Sequence, residues 1–99
     1  MKRPRRYTEK QIEKALQSLD GWRVNKAGTQ LTRSFEFDNF VFALAFCAKI
    51  AVHAEVLDHH PELHLTYGTV KVKLSTHDVD GLTKLDFDLA KRIDELTTI

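Results

Sequence analysis

The chain has five histidines in 99 residues. His59 and His60 stand side by side directly before Pro61, in the segment EVLDHHPELHLTY (residues 55–67). Imidazole has an unperturbed pKa of about 6.5, so it can give and take protons near neutrality. Pro61 forbids a helix from continuing and disfavours helical geometry at His60. The pair therefore falls where a helix turns into extended chain. A third histidine, His77, follows in STHDVDG (residues 75–81). Glu55 lies one helical turn before His59, and Asp86 comes shortly after His77. Adjacent imidazoles with a carboxylate nearby can hold different protonation states. A reaction that protonates a leaving group while removing a proton from a neighbouring atom needs one acid and one base. No serine or cysteine is placed as an activated nucleophile, since Cys47 lies far up the preceding helix. The set points to acid–base chemistry without a covalent intermediate. Zinc is the competing use of such residues. Adjacent histidines do not easily aim at one ion, and the usual Cys/His spacing is absent, so no metal is expected. His53, three residues from Ile50, reads as a packed or interface residue. His64 falls on the polar parity of its strand and reads as a surface residue. Asp86 reads first as a helix N-terminal carboxylate.

These residues must be positioned by the elements around them. TEKQ (residues 8–11) is a capping-box pattern that opens a first helix at Thr8. Ile12, Leu16 and Leu19 give it one apolar stripe, and Asp20-Gly21 ends it. Trp22-Arg23-Val24 alternates like a short strand, and Asn25 to Gly28 carry turn residues. Leu31, Phe35 and Phe37 share one parity of a second strand, which forms a hairpin with the first. Arg33 breaks that parity and is expected near an edge or a partner. Asp38 is the expected N-cap of the longest helix, residues 39–58. That helix is apolar nearly all round, through Phe40, Val41, Phe42, Leu44, Phe46, Ile50, Val52, Val56 and Leu57. Such a helix is buried on more than one side. Leu63, Leu65 and Tyr67, then Val70, Val72 and Leu74, alternate as a second hairpin about Gly68. With Gly68 at its centre, position 61 faces 75 and position 59 comes close to 77, so His59, His60 and His77 are expected at one end of the sheet. Thr83 and Asp86 form a second capping box, flanked by Leu82 and Phe87 as a hydrophobic staple. Leu85, Leu89, Ile93 and Leu96 then make the buried stripe of the last helix. The order α-β-β-α-β-β-α predicts an α+β domain, a four-stranded antiparallel sheet with three helices packed on one face.

Composition narrows the function classes. The length fits a single domain, expected over residues 8–99 after a flexible basic tail at 1–7. A net charge of +1 gives no argument for a nucleic-acid partner. One cysteine excludes an internal disulfide. No secretory signal is seen and no apolar run is judged long enough for a membrane span, so a cytoplasmic setting is the expectation.

Glu55, His59-His60-Pro61, Tyr67, His77 and Asp86, at these separations, resemble the signature of the pterin-4a-carbinolamine dehydratases. That family is also known as the dimerisation cofactors of a hepatocyte homeodomain transcription factor. LDHHPE (residues 57–62) and LSTH (residues 74–77) are close to the family's own wording, and Gly21-Trp22 and the Phe35-to-Phe46 stretch agree with it. The resemblance implies a lyase that dehydrates 4a-hydroxytetrahydrobiopterin to the quinonoid dihydropterin, in tetrahydrobiopterin recycling. It implies His59 and His77 as the proton-transfer pair, His60 as the residue positioning the pterin, and Glu55 as an orienting group, with Asp86 on the substrate side. It implies no metal or organic cofactor. A homodimer or homotetramer is implied too, with the long helix or an open sheet edge as the contact. The alternative role it carries is that of a non-catalytic dimerisation cofactor binding a regulatory protein. Leu85 and Leu63 depart from the animal pattern, which has arginine and tryptophan there, so substrate contacts at those positions are not carried over from the animal enzymes, while the histidine constellation is intact.

Overall fold

The computed structural model describes residues 4–97. The elements are α1 (Glu9–Leu16), β1 (Arg23–Val24), β2 (Leu31–Glu36), α2 (Phe40–Leu57), β3 (Glu62–Thr66), β4 (Thr69–Leu74) and α3 (Lys84–Glu95), with a 3-10 turn at His77–Val79. All strand pairs are antiparallel, in the order β1-β2-β4-β3. The α+β order read from the sequence is the order of the fold.

Local chemistry explains the boundaries. Thr8 caps α1: its Oγ1 accepts from the Gln11 amide, and Gln11 Oε1 accepts from the Thr8 amide at 2.8 Å. Leu19, expected on this helix, lies beyond its end but still packs against the core. In the β1–β2 turn, Asn25 Oδ1 accepts from the amides of Thr29 and Gln30. The cap of α2 is Asn39, whose Oδ1 accepts from the Phe42 amide at 2.9 Å, and not Asp38. Both residue types cap well; Asn39 is the one held extended immediately before the helix.

One face of the sheet is apolar. Leu31, Phe35, Val70, Val72 and Leu74 are buried on it, and Leu63 and Leu65 pack alongside. Cross-strand pairing of Leu31 with Leu74 and Phe35 with Val70 puts them on a common face. That face is covered by Ile12 of α1, Ala43, Phe46 and Ile50 of α2, and Phe87, Leu89, Ala90 and Ile93 of α3. The other face carries Glu62, His64, Lys71 and Ser34, all exposed. Arg33, the polar residue on the apolar parity, spans the edge. Its guanidinium donates to Asp94 of α3 and to the Asp20 carbonyl, both at 2.8 Å, and lies over the Phe35 ring. Trp22 Nε1 donates to the same Asp94 oxygen at 2.8 Å.

Three expectations change. The flexible tail falls in part on residues 1–3, outside those described. Its last residue, Tyr7, is docked: its amide donates to the Leu82 carbonyl at 2.7 Å and its ring stacks on Phe87. Second, α2 does meet the length and apolarity of a membrane span. Lys49 and Glu55 are its only formally charged residues. Its stripe of Ala43, Phe46, Ile50 and Ala54 is nevertheless buried in the domain. Third, the β3–β4 hairpin pairs Thr66 with Thr69 and Glu62 with Lys73. This is one residue short of the register centred on Gly68, because the turn is the two-residue Tyr67-Gly68. Gly68 sits against the Phe37 carbonyl, where a Cβ would approach to 2.7 Å.

Candidate active site

The end of α2 places the paired histidines. Asp58 adopts the left-handed conformation, with φ of 49° and ψ of 44°. Its amide returns to the Glu55 carbonyl, and the His59 amide returns to the Ala54 carbonyl at 3.0 Å. These two bonds make a Schellman motif, in which a short polar residue tolerates the left-handed turn. The turn folds His59 back against Ala54 and into the protein, while His60 is directed outward. Two adjacent residues thus meet opposite environments: His59 is 6% exposed, whereas the side chain of His60 is 58% exposed.

His59 Nε2 donates to Asp86 Oδ1 at 2.6 Å. Asp86 is fully buried. Its other oxygen, Oδ2, accepts from the Thr76 hydroxyl at 2.8 Å and from the Thr83 amide at 3.0 Å. The last bond is half of the α3 capping box, so one carboxylate both starts the helix and holds the histidine. Thr76 Oγ1 lies 2.9 Å from Thr83 Oγ1. Among the described residues every fully buried side-chain nitrogen or oxygen has a hydrogen-bond partner. Nε2 of His59 is thus tied to a buried carboxylate, whereas Nδ1 makes none of the bonds above.

His60 pairs with Glu55 through a short Nε2–Oε2 contact, both side chains exposed. Glu55 therefore engages His60 and not His59. His77 opens the 3-10 turn and is exposed; it directly follows buried Thr76. The turn is closed beneath it by the Thr76–Gly81 bridge. The corrected hairpin register matters here. Extended past the strand ends, it sets Thr76, not His77, across from His59, and both side chains meet on Asp86. Sequence reasoning gave Thr83 only its role as the α3 cap and did not single out Thr76. The signals available were the hydroxyl beside His77 and the cap of α3.

The other histidines match their expected settings. His53 is half-buried and accepts at Nδ1 from Arg92 of α3 at 3.2 Å. His64 is exposed and pairs with Glu62. Burial pushes the half-buried Cys47 thiol up from its ordinary pKa. Among the described residues no cluster of His, Cys, Asp and Glu suits a metal ion.

The sequence model of the pterin 4 alpha carbinolamine dehydratase family matches residues 5–96. The chain belongs to this family. A Rhizobium johnstonii relative, provisionally named a pterin-4-alpha-carbinolamine dehydratase, is 46% identical over 84 residues, covering 85% of this chain and 83% of the relative. A Brucella ovis protein of the same provisional name is 42% identical over 91 residues, 92% of this chain and 94% of that protein. A crystal structure from Brucella melitensis, described as a transcriptional coactivator/pterin dehydratase, superposes with a TM-score of 0.88 at 41% identity, covering 93% of this chain and 98% of that one. A pterin dehydratase-like protein, described as a RuBisCO assembly factor in the alpha-carboxysome, shares the fold, with a TM-score of 0.68 at 21% identity over 80% of this chain and 92% of that one.

Proposed function

We propose that the protein dehydrates a pterin 4a-carbinolamine, 4a-hydroxytetrahydrobiopterin or a close analogue, to the quinonoid dihydropterin. The observation that carries this reading is the buried His59–Asp86 pair, which engages Nε2 and leaves Nδ1 for the substrate. The reaction breaks the C4a–O bond and forms the C4a=N5 double bond. The hydroxyl leaves as water after gaining one proton, and N5 gives up one proton, so protons balance. With Nε2–H bonded to Asp86, a neutral His59 offers the lone pair of Nδ1. It is the base that takes the N5 proton. The exposed His77 is the acid that protonates the departing hydroxyl, and His60, steadied by Glu55, holds the pterin. Family membership supports the substrate class.

The test is dehydration of synthetic or enzymatically generated carbinolamine, followed through reduction of the product, with the spontaneous rate subtracted. His59→Ala and His77→Ala should each lower turnover on the order of 10²–10⁴-fold, the usual contribution of a general acid or base. His60→Ala should chiefly raise KM. Wild-type turnover in both folded His59 and His77 variants would remove the assignment.

The same proposal includes self-association through α2. Phe40, Val41, Phe42, Leu44, Val52 and Val56 are each at least 46% exposed. An apolar helix face of this kind in water is an association surface, and a closed symmetric dimer or tetramer would cover it. The alternative occupant of this face is a regulatory protein, the role of a non-catalytic dimerisation cofactor. Light scattering distinguishes the two. Leu44 points outward, so Leu44→Asp should leave the protomer folded by circular dichroism and lower its mass. A wild-type monomer at micromolar concentration would leave the face to another partner.

A further inference from the structure

The hydroxyls of Thr76 and Thr83 have no part in the acid–base scheme above, yet both residues are buried, at 2% and 0% exposure. A buried hydroxyl brings one proton, which gives the hydrogen bonds a direction. The Leu85 amide can only donate, so Thr83 Oγ1 accepts it, at 3.2 Å. The Thr76 proton goes to Asp86 Oδ2 at 2.8 Å. In the 2.9 Å contact between the two hydroxyls, Thr83 is therefore the donor and Thr76 the acceptor. The chain runs from the Leu85 amide through Thr83 and Thr76 to Asp86, and ends on the imidazole of His59. It crosses from the start of α3 to the end of β4 and then to the exit of α2.

We infer that Thr76, backed by Thr83, is a positioning residue for His59. By holding Oδ2 it keeps Oδ1 aimed at the ring. The neutral imidazole is then fixed with its proton on Nε2 and its lone pair on Nδ1. Without the Thr76 hydroxyl, Oδ2 keeps only the Thr83 amide, and the carboxylate loses one of the two bonds that set its rotation. Thr76 is the cleaner of the two threonines to test. Thr83 also caps α3, whereas Thr76 makes no capping bond to the 3-10 turn it precedes. The inference rests on the proposed dehydration only for its effect on rate. The tautomer of His59 is a property of the folded chain.

The experiment has two arms on the full chain. Long-range proton–nitrogen NMR of the labelled protein, at a pH where His59 is neutral, reads which ring nitrogen carries the proton. Wild type and Thr76→Ser should show it on Nε2, and Thr76→Val should show a mixture. In the dehydration assay, Thr76→Val should lose about 10- to 100-fold in kcat, the rate equivalent of one hydrogen bond to a charged group, with KM little changed. Thr76→Ser should recover most of that loss. A wild-type proton on Nδ1 overturns the inference. So does a folded Thr76→Val with wild-type tautomer and kcat, a loss carried by KM alone, or a Thr76→Ser no better than the valine variant. Should Thr76→Val fail to fold, the wild-type tautomer and the serine variant still decide. Should the wild type not dehydrate the carbinolamine, the proposed function falls, and the NMR arm still judges Thr76.

Discussion

Two capping boxes occur among the described residues, and they have different fates. At α1, Thr8 and Gln11 exchange bonds in solvent, and nothing else uses them. At α3, Thr83 and Asp86 make the same reciprocal pair with both residues fully buried. The difference lies in the third helical position. The Gln11 amide has one oxygen, and the cap takes it. The Asp86 carboxylate has two, so after Oδ2 receives the Thr83 amide, Oδ1 remains for His59. Burial then removes water as a competing donor, so protein groups must satisfy both oxygens. A helix start becomes a site when its cap has an acceptor to spare and no solvent to fill it.

The sharpest way to break this comparison is Asp86→Asn. An amide puts an N–H donor against either His59 Nε2–H or the Thr76 and Thr83 donors. Relief requires moving the ring proton to Nδ1, which removes the base. Turnover should fall on the order of 10²–10⁴-fold, and urea unfolding should show a loss of about 1–3 kcal/mol for an unsatisfied buried polar group. Gln11→Ala, the matching change in α1, should leave turnover unchanged and stability within about 0.5 kcal/mol.

Removing the caps themselves should give the next largest effect. Loss of an N-cap costs about 0.5–2 kcal/mol. Thr83→Ala should fall at the upper end, because its hydroxyl is buried and also feeds Thr76. Thr8→Ala should fall at the lower end. Equal losses in chemical denaturation would show that burial of the α3 box adds nothing to its cap.

The smallest effect belongs to an exposed histidine–carboxylate pair, the surface counterpart of His59–Asp86. The hydrogen bond from His64, aided by the charge of Lys73, holds the Glu62 carboxyl below its ordinary value of 4.5. A carboxyl depressed on folding stabilises the protein above its unfolded value, and that contribution is lost as pH falls through the folded value. Glu62→Gln should therefore lower neutral stability slightly, leave stability in strong acid unchanged, and so flatten the acid dependence, with turnover unaffected. The effect is limited because the pair is solvated and screened. A change larger than that of Thr8→Ala, in melting curves taken across the acid range, would contradict this ordering.

Much of the molecule could be read along the chain. Thr8, Thr83 and Asp86 announce their caps because a cap is a contact over three residues. Alternating Val70, Val72 and Leu74 announce a half-buried strand, because side-chain direction alternates with a fixed period. Pro61 marks the helix exit by excluding helical backbone. These are local properties, and no tertiary contact is needed to infer them. The roles of individual site residues depended on tertiary structure. Sequence spacing brought His59 towards His77, but a turn of two residues set Thr76 opposite instead. Spacing set Glu55 one helical turn before His59, but the left-handed Asp58 sent His59 inward and left His60 to meet Glu55. Asp86 carried a helix-start signal and gave no sign that its second oxygen would meet a histidine 27 positions away. The outer face of α2 was legible only as an excess of apolar residues; which ones stay exposed was set by which stripe the sheet and α3 cover. Caps, strands and breaks follow from neighbours in the chain. The pairing of buried donors with buried acceptors follows from where distant segments meet, and that the folded chain alone decides.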